Sequence, residues 1–313
     1  MQALVLGGCG FIGSHVVDAL VAAGHKVVVL DRAMERYRAP LPGVEYVVGN
    51  FSDKMLLAEL LAGKDVVFHL VSTTFPGTAN LDPTADVTGN LVSTLALLET
   101  MTALGVSRLV YLSSGGTVYG RAPNYPIPED FPLNPINSYG IVKVAIEHYL
   151  EMFRTMHGLL PIAIRAANPY GPRQGHIGVQ GVVATFMRRL CDSQPLEIWG
   201  DGRVVRDYLY VGDLAALCLA AAESDHCGAL NAGSGQGLSL LDLIALLSEI
   251  SGQDIHPLFK HGRKVDVPYS VLDITRARKT LGWQPQTSFH HGLQNTWDWT
   301  QAERGGRGIS EQM

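Results

Sequence analysis

The run Leu4-Val5-Leu6-Gly7-Gly8-Cys9-Gly10-Phe11-Ile12-Gly13 decides the fold. Apolar residues suited to a buried strand lead into a glycine cluster, and a helical pattern follows at once. The glycines satisfy GxGxxG through Gly8, Gly10 and Gly13, and GxxGxxG through Gly7, Gly10 and Gly13. Glycine there permits a tight turn, lets the backbone approach a pyrophosphate and allows close helix–strand packing. The N-terminus of the helix behind the turn directs free N–H groups at phosphates.

Outward from this turn the pattern repeats. Short β-branched runs at 3–6, 26–30, 44–48, 65–70 and 108–112 read as buried strands, with helical periodicity at 11–23, 54–61 and 90–104. Such alternation implies right-handed crossovers and a parallel sheet covered on both faces. A helix from 138 to about 156 leads into a further strand at 161–165. Beyond Asn168 the chain changes character, with Gly and Pro clustered through 169–181. A helix at 182–191, strands at 196–199 and 207–210, and helices at 211–223 and 239–251 follow. The expectation is an α/β protein with a doubly wound parallel (Rossmann) sheet over 1–168, completed by segments from later in the chain. A smaller C-terminal substrate-binding lobe takes 169–300. Residues 301–313, rich in Gly and Arg, read as a disordered tail.

With 313 residues, 47% hydrophobic and 17% charged, the chain can bury a large core and has the make-up of a soluble cytoplasmic enzyme. A net charge of −5 without a long basic run argues against nucleic acid and anionic membranes as partners. No run of 18 apolar residues suggests a membrane span, and the apolar start lacks the basic flank of a signal peptide. Cys9, Cys191, Cys218 and Cys227 form no CxxC pair, so neither a disulfide framework nor a metal site is expected.

The second strand ends in Asp31. A carboxylate there accepts hydrogen bonds from the adenosine ribose and repels a 2′-phosphate, which favours NAD over NADP. Arg32 beside it is the feature that would tolerate the phosphate. Tyr139 and Lys143, four residues apart on one helical face, are the second signature. A phenol of ordinary pKa near ~10 is a poor base at neutral pH. A neighbouring ammonium and an oxidised nicotinamide both favour the phenolate.

With these residues in view, the chain resembles the extended short-chain dehydrogenase/reductase family and, within it, the NAD-dependent sugar-nucleotide epimerases and dehydratases. The resemblance runs from Gly7 to about Pro285. Besides the glycine turn it rests on Ser113-Ser114-Gly115-Gly116-Thr117-Val118-Tyr119-Gly120, Tyr139-Gly140-Ile141-Val142-Lys143, Arg165-Ala166-Ala167-Asn168-Pro169-Tyr170-Gly171-Pro172 and Val205-Arg206-Asp207-Tyr208. It implies that Phe11 and Ile12 lie along the pyrophosphate, and that Asn50 and Phe51 meet the adenine. Leu70, Val71 and Ser72 would flank the cofactor, and Asn90 would lie near the nicotinamide ribose, although an Asn opening a helix could equally be structural. His69 beside them reads as a packed strand residue rather than a base. Asn168, Arg206 and Arg263 match positions that contact a nucleotide diphosphate, for which guanidinium groups are suited. The alternative is ion pairing of the two arginines with Asp207 and Asp266. Trp199 ends an edge strand whose backbone would meet the nucleotide base. Ser270 falls where relatives limit the room around the sugar. Family members commonly form homodimers through the helices at 90–104 and 138–156.

Dehydratases of the family carry Asp-Glu just before Val-Tyr-Gly, and decarboxylases carry Ser-Glu. Gly116-Thr117 stands there in this chain, so that carboxylate is missing. What the resemblance then implies is reversible hydride transfer: epimerisation of a nucleotide-activated hexose at C4 through a 4-keto intermediate. A sugar-nucleotide reductase or dehydrogenase is the alternative, and a non-catalytic NAD-sensing protein a third reading that Tyr139 and Lys143 oppose. Most members have Ser or Thr directly after the position of Ser114. Gly115 occupies it here, which leaves Thr117 or Ser114 to supply the hydroxyl.

Overall fold

The computed structural model describes residues 1–175, 181–262 and 267–310. From β1 (Gln2–Leu6) the chain turns into α1 (Phe11–Ala22) and continues through β2 (Lys26–Asp31), β3 (Val44–Val48), α2 (Lys54–Leu61) and β4 (Val66–His69). A helical stretch in three parts follows: α3 (Pro83–Asp86), a π-helical turn at Val87–Val92 and α4 (Ser93–Leu104). Then come β5 (Arg108–Ser114), α5 (Ser138–His157), β6 (Leu160–Ala166), β7 (Asn168–Tyr170), α6 (Val182–Cys191), β8 (Glu197–Trp199), β9 (Val205–Tyr210), α7 (Val211–Glu223) and β10 (Gly228–Ala232). The chain ends with β11 (Gly237–Ser239), α8 (Leu240–Ser251), β12 (Leu258–Lys260), β13 (Tyr269–Ser270), α9 (Thr275–Leu281) and α10 (Phe289–Ser310).

Seven parallel strands form one sheet in the order β3-β2-β1-β4-β5-β6-β10. The winding reverses between β1 and β4, and ligands of such sheets bind outside the carboxyl ends of the strands at that switch. Alternation along the strands divides the core. Ala3 and Val5 face one layer with Val16, Val17 and Leu20 of α1 and Leu214 and Leu217 of α7. Leu4 and Leu6 face the other, with Leu57 of α2, Leu97 and Leu98 of α4, and Val142 and Ile146 of α5. The sheet thus buries both faces, as a parallel sheet requires.

β9 lies at the centre of a smaller sheet, parallel to β7 and β13 and antiparallel to β11, while β8 pairs with β12. Phe186 and Met187 of α6, Leu243 and Leu247 of α8, and Leu293 and Trp297 of α10 form the core of this lobe.

Several features depart from the sequence expectation. The helix expected to open at Asn90 starts at Pro83, where Asp82 accepts the Ala85 N–H at 2.9 Å and proline occupies the first turn. By length and a mean hydropathy of 1.2, Pro83–Leu104 would suffice to cross a membrane. Its Leu97, Leu98 and Met101 are packed in the core beneath the sheet. α10 runs past Gln301, where the sequence suggested a tail. Ion pairs of Glu303 with Arg188 at 3.7 Å and of Arg304 with Asp192 at 3.5 Å fasten that stretch to α6. Residues 311–313 lie outside the described residues.

Candidate active site

The glycine turn forms at the carboxyl end of β1. Gly7 sits at φ +84°, where only glycine is unstrained, and its N–H donates to the Leu30 carbonyl at 2.9 Å. A Cβ on Gly13 would overlap the Gly7 carbonyl and stand 2.8 Å from the Gly8 Cα, so α1 packs against the turn only because residue 13 has no side chain. No side chain caps α1, and no acidic residue lies in its first turn. This bare N-terminus behind a glycine cradle suits the two phosphates of a dinucleotide. Asp31, at the end of β2, accepts the N–H groups of Cys9 at 3.0 Å and Arg32 at 2.7 Å. Its carboxylate is therefore fixed beside the turn, where a ribose would lie. Burial, followed by the charges of Asp31 and Glu35, pushes the Cys9 thiol up to about 12, consistent with a steric role for this residue.

A cavity of about 390 Å³ opens there, walled by Cys9, Gly10, Phe11, Asp31, Ala33, Met34, Arg36, Tyr37, Phe75, Gln174 and Gly175. Arg32 is exposed and is not among the described residues of this wall. The side chains of Asn50 and Phe51 are likewise absent from it. Phe51 is buried under the sheet with its ring 5.3 Å from that of His69, because the chain turns inward there to start α2. Asn50 is spent locally, accepting the Ser52 N–H at 3.1 Å.

Val71 lies against Gly7, and Leu70 continues β4 by donating to the Leu6 carbonyl at 3.1 Å. Val71, Ser72 and Asn90 line a narrow cleft together with Tyr139 and Lys143. Asn90 is held within the protein: its Oδ1 accepts the Thr73 N–H at 2.8 Å and its Nδ2 donates to Asp86 at 2.9 Å. It anchors the loop after β4 to the π-helical turn. His69 is the packed residue its setting suggested, 2.8 Å from the Thr94 hydroxyl, and burial brings its pKa down to about 3.

Tyr139 and Lys143 lie on α5, which Asn137 caps by accepting the Gly140 N–H at 2.8 Å. Lys143 Nζ donates to the Leu112 carbonyl at 2.8 Å and stands 4.8 Å from the ring centre of Tyr111 and 5.4 Å from that of Tyr139. Burial lowers Lys143 to about 8 against the opposing charges of Glu147 and Asp86. Burial, helped by Asp86, pushes the Tyr139 phenol up to about 12, so in the protein alone the phenol is an acid and not yet a base. Sequence reasoning missed Asp86. It is fully buried and accepts from Thr74 Oγ1 at 2.6 Å, Asn90 Nδ2 and, at 2.7 Å, from Ser138 Oγ next to the tyrosine.

A larger cavity of about 570 Å³ begins at this pair and runs into the small lobe. Ser114, Gly116, Thr117 and Tyr139 form its inner wall, and Asn168, Trp199, Arg206 and Tyr208 its outer part. The hydroxyls of Thr117 and Tyr208 and the carbonyl oxygen of Gln174 are buried there without protein partners, as expected of groups that wait for a ligand. Tyr208 could have been found by alternation, since it shares a strand face with Arg206. Asp207 faces the other way, fully buried, accepting from Ser234 at 2.6 and 2.7 Å, Gly235 at 3.3 Å and Leu272 at 3.2 Å. It is committed to the lobe's own frame. Asn168 Nδ2 donates to the Asp207 carbonyl at 3.1 Å, which orients its amide at the cavity wall. Ser270 is buried in β13 and is not among the described lining residues. Arg263 and Asp266 lie outside the described residues. Gly115 is fixed sterically: a Cβ there would overlap Leu272 and stand 2.9 Å from the Arg165 carbonyl oxygen. Among the described residues no group of three potential metal ligands occurs.

Comparison with known proteins agrees with this geometry. Residues 3–233 match the model of the NAD dependent epimerase/dehydratase family. A UDP-glucose 4-epimerase of Mycolicibacterium smegmatis is 40% identical over 304 residues, covering 95% of this chain and 97% of its own. The crystal structure of a UDP-glucose 4-epimerase with UDP-glucose from Thermotoga maritima superposes with a TM-score of 0.93 at 37% identity, over 97% of this chain and all of that one (100%). The Thermus thermophilus UDP-glucose 4-epimerase in complex with NAD gives 0.88 at 34% identity, over 96% and 99%. A match over most of the chain, with the glycine turn and the Tyr139–Lys143 pair in place, makes this protein a member of the NAD dependent epimerase/dehydratase family.

Proposed function

We propose that the protein is an NAD-dependent sugar-nucleotide epimerase that inverts C4 of a UDP-hexose. The observation that carries this reading is the continuous cavity from Tyr139 and Thr117 to Asn168 and Arg206, with no carboxylate in the segment 113–117. A sugar held by its diphosphate against Asn168 and Arg206 would present its ring to Tyr139. When bound, NAD supplies a reversible acceptor for the hydride on C4. Tyr139 takes the proton of the 4-hydroxyl and later returns it, Lys143 supplies positive charge, and Thr117 donates a hydrogen bond to the sugar oxygen. With no carboxylate next to the ketone, nothing in that segment would draw off the neighbouring proton towards dehydration.

The test is incubation of the purified protein with UDP-glucose or UDP-galactose, no cofactor added, followed by proton NMR of the anomeric signals. Appearance of the other epimer without accumulation of NADH supports the reading. Stoichiometric NADH would favour a dehydrogenase.

The same reading includes a homodimer. Ile141, Tyr149, Met152 and Met156 form an exposed apolar stripe on α5, and Val87, Val92 and Leu104 are exposed on the neighbouring helical stretch. A second copy packing on these two elements would cover both.

A further inference from the structure

Four charged side chains and a histidine, drawn from three segments, form a cluster beside the smaller cavity. Arg173, three residues past β7, lies at φ +67°, an uncommon conformation for a residue with a side chain. Its Nη2 donates to Asp18 Oδ2 at 2.6 Å and to His15 Nδ1 at 2.7 Å, and its Nη1 stands 3.9 Å from Glu35 Oε1. Arg38 pairs with the same two carboxylates, with Asp18 through Nη1 and with Glu35 through Nε at 3.0 Å. His15 Nε2 lies 3.0 Å from the Pro172 carbonyl. Donating there while accepting from Arg173 at Nδ1 is the pattern of a neutral imidazole, and burial, then the Arg173 charge, lowers its pKa to about 4. Two guanidinium groups thus face two carboxylates, and the Glu35 carboxylate is wholly enclosed.

The position of the cluster gives it meaning. His15 and Asp18 lie on α1, directly behind the glycine turn. Glu35 and Arg38 belong to the loop after Asp31, whose Ala33, Met34 and Tyr37 wall the cavity beside the ribose site. Arg173 precedes Gln174, which walls both cavities. The cluster therefore pins the loop over the cofactor cavity both to α1 and to the segment that borders the substrate. Arg38 and Arg173 face the enclosed Glu35 carboxylate as ion pairs, without hydrogen bonds to its oxygens. Breaking such a pair leaves an uncompensated buried charge, and backbone strain persists where its surroundings over-determine it.

We propose that Arg173, through Asp18, Glu35 and Arg38, is a positioning residue that keeps the dinucleotide in its cavity during turnover. The inference rests on the epimerase reading, because such an enzyme must reoxidise the same cofactor molecule that it has just reduced. Opening of the loop 32–43 releases the adenosine end, and the cluster opposes that opening.

The experiment loads the wild-type protein, Arg173→Gln and Asp18→Asn with radiolabelled NAD, chases with excess unlabelled NAD, and follows the label that remains bound. Both variants are expected to release NAD about tenfold faster or more, since losing either partner of the Arg173–Asp18 pair frees the loop 32–43 to open. Arg173→Lys is expected to restore part of the retention. On addition of UDP-glucose the variants should leak NADH into the filtrate while the wild type does not. Asp18→Asn keeps the side-chain shape and guards against a folding failure in Arg173→Gln. A folded Asp18→Asn that releases NAD at the wild-type rate overturns the proposal and leaves the epimerase reading standing. So does a variant whose only change is a lower Tm of the cofactor-free protein. A wild-type protein that takes up no NAD overturns both.

Discussion

Replacing Thr117 by valine should separate catalysis from folding. The Thr117 hydroxyl is buried without a partner, so in the protein alone it bears a desolvation cost of about 1–3 kcal/mol. Valine keeps the branched shape and removes that cost, and Thr117→Val should unfold at the same temperature as the wild type or higher. In the proposed reaction the same hydroxyl would donate to the sugar oxygen on which charge develops. A hydrogen bond to a charged group contributes about 1.5–3 kcal/mol. At about 1.36 kcal/mol per factor of ten, kcat should fall roughly 10- to 150-fold.

Initial rates by NMR and thermal unfolding by calorimetry measure the two quantities on one preparation. Ser114→Ala is the control, since Ser114 shares the wall and should cost less. The usual family position offers no escape, because a side chain at Gly115 would strike Leu272. Gly115→Ser should therefore destabilise the protein and fail to rescue Thr117→Val. If Thr117→Val keeps its rate while Ser114→Ala is inactive, the assignment is reversed. A fall in Tm for Thr117→Val would refute the argument from its unpartnered hydroxyl.

Three further outcomes are expected. Because Asp31 is fixed beside the glycine turn by the Cys9 and Arg32 N–H groups, where the proposed cofactor would place its ribose, NAD should bind at least tenfold more tightly than NADP, about 1.4 kcal/mol by calorimetry; equal affinities would remove its role. His15 and His69 titrate near 4 and 3 in the folded protein against an ordinary 6.5, so between those values the unfolded chain binds more protons and stability falls as pH drops from about 6.5 towards 4. Each contributes a slope of up to about 1.4 kcal/mol per pH unit, and urea unfolding at pH 7 and 5 should show a shallower loss in His15→Asn than in the wild type. The double variant Ile141→Lys with Met152→Lys charges the exposed stripe of α5 and should convert the proposed dimer to monomers by light scattering; a monomeric wild type would refute the dimer, and an unchanged dimer mass this interface.

The parts legible in the sequence are those written locally. Gly7 to Gly13, Asp31, and Tyr139 with Lys143 each combine neighbours in the chain whose spacing already carries the geometry. β10 was not legible, because Gly-Ala-Leu-Asn-Ala has little strand propensity and becomes a strand only by pairing with β6. The small sheet around β9 is likewise assembled from segments of two to six residues far apart in sequence. Phe51 occupies the position the family pattern assigned, yet its ring turns into the core, a choice made by the packing of α2 and not by the motif. Asp86 is invisible for a different reason. In sequence it is one acidic residue ahead of the helix expected at 90–104, and only the juxtaposition of α3 with α5 brings it beside Tyr139 and Lys143.

That juxtaposition makes a last prediction. Burial favours the neutral form of both Tyr139 and Lys143, and the Asp86 carboxylate acts on the two in opposite senses, opposing the phenolate and supporting the ammonium. Glu147 also supports the ammonium. Tyr111 and His69, the other titratable groups in the cleft, stay neutral, since burial raises the former and lowers the latter. Removing the Asp86 charge should therefore lower both pKa values together. In Asp86→Asn the acid limb of the kcat profile, which reports ionisation of the phenol, and the alkaline limb, which reports loss of the ammonium, should both move to lower pH. The variant would be relatively more active on the acid side and lose activity earlier on the alkaline side. A merely structural Asp86, acting through Thr74, Asn90 and Ser138, would scale the profile down without moving it. A profile that keeps both limbs in place would refute the electrostatic role, and Asp86→Glu, which retains the charge at a shifted position, should stay close to the wild-type limbs.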